Sequence, residues 1–310
     1  MIARRALMLV LAVGIGPLVV RPATAGPWSL KPGEYATDVS GSWYSAYHYA
    51  DENGDDHRLF GGGEYERRAA NWVTELGWRK GTSVVFGIPF TSTTRQPGDV
   101  APLQTITVMG DALFGFKFKL ANGARAAAFE LDTSFPMGYQ HDLLLSHADS
   151  VKATRPDGTF DWNVARQIAT PIAGDGQASV AGTLQLGTAL GKSAFLSGFG
   201  GYEYRGSDYQ GRVRTGADLA WWFRGSWLIG GRYRGAIASQ GDNVTHDTSW
   251  QEAGPVILYR VDDRVDVFAS SMHTMSTKNG LHTDEVRFGF TFKQTKLNRL
   301  QGYLGSTQRP

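Results

Sequence analysis

Arg67, Glu75, Asp111, Lys117, Glu130, Asp132, Glu203, Arg205, Arg214, Asp218, Arg232, Arg234, Arg260, Glu285 and Arg287 share one property: each falls on the polar parity of an alternating segment. Charges spread in this way do not form a reaction centre; they form a polar face. Gathered inside a closed structure they have two readings. One is a mutually neutralising network, because buried charges must be paired. The other is a polar path or binding site for a small solute. Arg212, Arg214, Arg232 and Arg234 lie on two neighbouring segments, which would make one wall basic and attractive to anions.

Other candidate chemistry is weaker. Asp51-Glu52-Asn53-Gly54-Asp55-Asp56 imitates the opening of a calcium loop, but Asp56 stands where such a loop needs glycine and Gly62 where it needs a bidentate glutamate. The seven histidines show no metal-binding spacing. His141, His147, Asp149 and Ser150 contain the residue types of a hydrolase triad without a nucleophile elbow, and closeness in sequence is not triad geometry. Gly61-Gly62-Gly63 precedes no helix, so it offers no phosphate cradle. No catalytic residue, metal or cofactor is therefore expected.

The segments that must position the charged face are strands. In Thr105 to Phe135, Ile106, Val108, Ala112, Phe114, Phe116, Phe118 and Leu120 take one parity and Thr107, Asp111, Gly115, Lys117 and Lys119 the other. After Asn122-Gly123, a pair suited to a tight hairpin, alternation resumes with Ala127, Phe129 and Leu131 against Glu130 and Asp132. Similar segments begin near Glu34, Glu64, Thr82, Gln177, Ala194, Gly211, Ser226, Ser249, Arg264 and Thr283, giving twelve candidate strands. Pro89 falls on the inward parity of its strand, where its missing N–H suggests a bulge or the upper margin of the barrel. Short connections at 77–81, 121–123, 191–193, 224–226 and 261–263 alternate with longer ones at 50–63, 95–104, 136–176, 206–210, 239–248 and 274–282. This is the pattern of an all-β, transmembrane, antiparallel up-and-down barrel, with short periplasmic turns and long external loops. Such a barrel spans 26–293, its 136–176 loop serving as a lumen plug, a lid or a surface segment, and a polar periplasmic tail fills 294–310. A soluble β-sandwich would also alternate, but no parity switch buries a second core.

Arg4 and Arg5 precede an apolar run to Val20, and Ala23-Thr24-Ala25 offers a cleavage site, so residues 1–25 read as a secretory signal peptide. Its removal takes the formal charge from +2 to −1, and no nucleic-acid partner is expected. The absence of cysteine suits an exported bacterial protein that does without disulfides. The expected partners are outer-membrane lipid, the barrel insertion machinery and a small solute.

Several phrases resemble a family of outer-membrane barrels named for the meta-pathway of phenol degradation. They are GPWSLKPGEY (26–35), ELGWRKGTSVVFGIPF (75–90), GDALFGFKFKL (110–120), GDGQASVAGTLQLGTAL (174–190), GFGGYEYRG (198–206) and LYRVDDRVDVFAS (258–270). The resemblance implies a channel or transporter-like outer-membrane barrel for passive uptake or binding of small, hydrophobic or aromatic molecules, with no catalytic residues. The alternatives are a structural or surface-interaction barrel, as in adhesion or envelope assembly, and a lipid-modifying enzyme. One departure is the end of the chain: Phe292 is followed by a charged tail, where such barrels usually stop at a terminal aromatic.

On this reading Phe116→Arg or Phe288→Arg, on the apolar parity near mid-strand, is expected to cost roughly 2–4 kcal/mol in unfolding measured in lipid. Lys117→Ala is expected to cost less. Equal penalties would show the parity to be wrong.

Overall fold

The computed structural model describes residues 30–51, 53–59, 62–96, 104–121, 125–137, 154, 156–159, 178–191, 193–205, 211–238 and 248–293. The expected signal peptide, most of the 136–176 loop with its His141, His147, Asp149 and Ser150, and the 294–310 tail lie outside these residues.

The described chain forms fourteen strands: β1 (Tyr35–Ala50), β2 (Asp56–Arg58), β3 (Glu64–Arg79), β4 (Thr82–Gln96), β5 (Gln104–Met109), β6 (Ala112–Ala121), β7 (Arg125–Phe135), β8 (Ser179–Leu190), β9 (Ala194–Arg205), β10 (Arg212–Phe223), β11 (Trp227–Ala238), β12 (Ser249–Arg260), β13 (Val265–Lys278) and β14 (Gly280–Lys293). Each barrel strand pairs antiparallel with its neighbours, and β14 returns to pair with β1, closing a barrel of twelve staves. β5 and β6 share one stave beside β4, and β2 is a short addition to the loop end of β1. Closure leaves no sheet edge, as a structure surrounded by lipid requires.

Alternation sorts the side chains. Val39, Trp43, Trp72, Phe114, Phe129, Leu184, Leu219, Ile257, Phe288 and Phe290 point outward and are exposed, while Asp38, Ser40, Glu75, Lys117, Glu130, Gln185, Asp218 and Arg287 point inward and are buried. Both ends of the apolar band carry aromatic residues tied to polar partners. At the long-loop end Trp43 donates its Nε1 to Glu66 at 2.5 Å and Tyr47 its hydroxyl to Glu64 at 2.8 Å. At the short-turn end the guanidinium of Arg79 lies 4.6 Å from the Trp78 ring and that of Arg224 5.0 Å from the Phe223 ring. Aromatic girdles with charged tips reaching toward water mark the margins of a hydrocarbon layer.

Two sequence expectations change. Ile106 and Val108 do not share the outward parity of Phe114 and Phe116. Met109 pairs with exposed Phe90, whereas Ile106 and Val108 oppose the buried Thr93 and Thr91 on the inner wall. The β4 register moves by one residue between its pairing with β5 and its pairing with β6, because Gly110-Asp111 is inserted opposite Pro89. Pro89 has no N–H to donate, its carbonyl accepts from Gly110 at 2.9 Å, and the extra residue flips every side chain beyond it. The bulge expected at Pro89 is therefore present. In addition, the expected 274–282 connection is mostly strand: β13 and β14 run on to a tight turn at Asn279, whose φ of 51° is a left-handed conformation that Asn tolerates.

On β12, a Cβ added at Gly254 would collide with the carbonyl oxygen of Ser271 on β13. Gly254→Ala is expected to cost about 1–3 kcal/mol, since backbone rather than a flexible side chain must move. Gly231→Ala, with open space around its position, serves as the neutral control in urea titrations of the folded barrel. Equal midpoints for the two variants would contradict the close approach.

Candidate functional site in the barrel lumen

Of the fifteen charged residues singled out by sequence, fourteen lie on inward-facing positions of the wall, as the register and burial pattern show. Asp111 is the exception: it belongs to the inserted step opposite Pro89 and is paired in neither flanking ladder.

Many of the inward charges are brought together as pairs. Lys117 on β6 reaches across β4 to Glu75 on β3, Nζ to Oε2 at 2.9 Å, and the lysine side chain is only 2% exposed. Glu130, the register partner of Lys117, accepts from Gln185 Nε2 at 2.7 Å. Arg232 donates to Asp218 at 2.7 Å, and Arg234 contacts both Glu252 at 2.7 Å and Glu285 at 3.1 Å. Glu203 receives Arg212 at 2.5 Å, Arg214 at 4.0 Å and the Ser179 hydroxyl at 2.9 Å. Arg287 donates to Ser40 from Nε and Nη2, and Thr291 donates to Asp38. Each member of the expected basic wall, Arg212, Arg214, Arg232 and Arg234, thus faces a carboxylate. The wall is neutralised, because leaving a guanidinium unpaired away from water is costly.

Sequence reasoning missed part of this lining. Glu252, Asp266 and Lys293 complete ion pairs from positions that alternation alone did not distinguish, while Asp38, on the polar parity of the first strand, accepts from Thr291. It also missed an apolar cluster inside the barrel at the short-turn end: Phe195, Ala220, Trp222, Leu228, Val256, Leu258 and Phe268, all buried. The signal was present as Trp221-Trp222-Phe223 and Trp227-Leu228-Ile229, where both parities are apolar: Trp222 and Leu228 pack inside, while Trp221, Phe223, Trp227 and Ile229 are exposed on the outer face. Arg260 covers this cluster, its guanidinium 4.5 Å from the Trp222 ring, while Asp266 holds Arg260 at 3.0 Å and also binds Lys293. Leu30, ahead of β1, is buried at the same end and donates its N–H to Ser83 Oγ at 3.0 Å.

No protein-family model matches this sequence, and no curated protein sequence matches it significantly. The fold does have solved relatives. An outer-membrane channel from Pseudomonas putida F1 superposes with a TM-score of 0.65 over 88% of this chain and 99% of that one, at 11% identity. The protein has the fold of outer-membrane barrels. The NanC porin, at 0.47 and 11% identity over 83% of this chain and 98% of that one, is a more distant likeness. So is the translocator domain of the autotransporter NalP from Neisseria meningitidis, at 0.43 and 9% identity over 94% of each chain. Neither of these two bears on function.

The pairing reverses one expected order of effects. Lys117→Ala leaves the Glu75 carboxylate buried without its cation, and breaking such a pair costs about 3–5 kcal/mol, no less than a charge on the lipid face. Lys117→Met combined with Glu75→Leu should recover most of that loss. A double variant as unstable as the single one, in unfolding followed by tryptophan fluorescence, would refute the pairing.

Proposed function

We propose that this protein is a bacterial outer-membrane barrel that binds and passively passes small molecules, with hydrophobic or aromatic compounds as the solute class. The observation that carries the membrane reading is the division of side chains. An exposed apolar band, bounded at both ends by aromatic residues with polar or charged partners, surrounds an interior lined by Lys117, Glu75, Arg232, Asp218 and their neighbours. The short turns then face the periplasm and the longer connections face outside. The phrases shared with the barrels of the phenol meta-pathway, and the fold shared with a channel, support the transport half of the reading.

A structural barrel is the second reading. What favours it is the neutralised lumen wall together with the apolar cluster packed around Trp222 and Leu228, which fill an interior rather than line an open one. A lipid-modifying enzyme has less support, since no Ser, His and Asn set shares the outward face among the described residues.

Unheated samples are expected to migrate faster than boiled ones on a denaturing gel, and a detergent-free soluble monomer would end the membrane reading. In liposomes the protein is expected to pass small aromatic solutes. If neither ions nor such solutes cross, the structural reading replaces the channel.

A further inference from the structure

At the long-loop end of the lumen, one arginine differs from those on β10, β11 and β12. Arg212, Arg232, Arg234 and Arg260 each meet a carboxylate within 3.0 Å. Arg67 meets none among the described residues. Its Nη2 reaches only the Thr91 hydroxyl, at 3.4 Å, and its Nε is shielded from solvent with no acceptor. Thr93, the register partner of Arg67, is fully buried, and its Oγ1 also has no partner. A cationic donor and a hydroxyl therefore stand side by side on the inner wall, each with hydrogen-bonding capacity unused. Glu285, in register with Tyr44 on the other side of β1, is turned to Arg234 at 3.1 Å.

The surroundings of this pair are apolar and aromatic. Tyr44, opposite Arg67 in register, meets Tyr65 edge to face at 5.6 Å between ring centroids. Arg95 lies 5.7 Å from the Tyr65 ring. The shift at Pro89 turns Ile106 and Val108 onto the same wall, opposite Thr93 and Thr91. A guanidinium fork binds a carboxylate through two parallel N–H bonds, and a threonine hydroxyl can donate a third. Apolar side chains and phenol rings beside that head would shelter a hydrocarbon or aromatic body.

We propose that Arg67 and Thr93, with Tyr44, Tyr65, Ile106 and Val108 around them, form a binding site for a small amphipathic carboxylate: one anionic head on an apolar or aromatic body. This narrows the solute class of the function proposed above, and rests on that reading only for how the ligand arrives. The site itself follows from the unused polar groups and their apolar frame.

Calorimetric titration of the full-length protein in detergent tests it with three probes. Benzoate carries head and body, benzamide the body with a neutral head, and inorganic phosphate a charge without a body. Benzoate is expected to bind at least about tenfold more tightly than either of the others. Arg67→Gln should weaken benzoate about tenfold and leave benzamide unchanged, while Thr93→Val should weaken benzoate about threefold. Arg68→Gln, on the outward face, should change nothing. Heat-modifiable migration establishes that each variant is folded. Absence of benzoate binding, equal binding of benzamide or phosphate, or wild-type affinity in Arg67→Gln would each overturn the proposal. Since binding is read without a membrane, a protein that binds benzoate but passes no solute keeps this site and loses the channel. One that passes solutes without preferring benzoate keeps the channel and loses the site.

Discussion

The pairing of β14 with β1 is the contact on which everything else in this barrel depends. Hydrocarbon offers no hydrogen-bond partner to a backbone N–H or carbonyl, so an open sheet in lipid would expose two costly edges. The first and last strands remove those edges by pairing from Ala36 with Lys293 up to Ala50 with Gly280, with one irregularity between Ser45 and His48. Because these strands lie at opposite ends of the chain, the wall is complete only when all of it has been laid down. The same closure creates the interior, and so decides that Arg287 of β14 can donate to Ser40 of β1.

The interior obeys two regimes along its length. Toward the short turns it is apolar, with Phe195, Trp222, Leu228 and Leu258 packed as in an ordinary protein core, and the Arg260, Asp266 and Lys293 group beside it. Farther up, charge pairs join neighbouring strands, as Asp218 and Arg232 do, or reach across an intervening one, as Lys117 and Glu75 do, and each satisfies what would otherwise be an expensive isolated ion. Pairing makes the wall close to neutral even though arginines are concentrated on β10 and β11.

The irregularity at Pro89 shows how one residue redirects a surface. Proline removes a donor from β4, Gly110-Asp111 adds a step on the opposite stave, and Ile106 and Val108 pass from the lipid side to the lumen side. Without that step, Thr105 and Thr107 would face inward and the upper wall would be polar throughout. A local defect in the ladder thus adds apolar surface to the inner wall at the long-loop end.

The strand order, the twelve staves and most of the inward charges were legible in the sequence, because a strand's side chains alternate with period two and a bilayer demands an apolar face on every one. Ala194–Arg205 and Ser249–Arg260 begin and end where alternation and turn residues place them. The bulge at Pro89 was legible as well, but its consequence for Ile106 and Val108 was not: the direction of a flip depends on which partner strand supplies the extra residue. Partner choice was out of reach for the same reason. Lys117 and Glu75 are separated by many residues and meet only across an intervening strand, and that Arg67 meets no carboxylate among the described residues is visible only in the folded wall. Alternation is a property of single strands and can be read along the chain. Pairing across a lumen depends on register, stagger and closure, which exist only in the folded barrel.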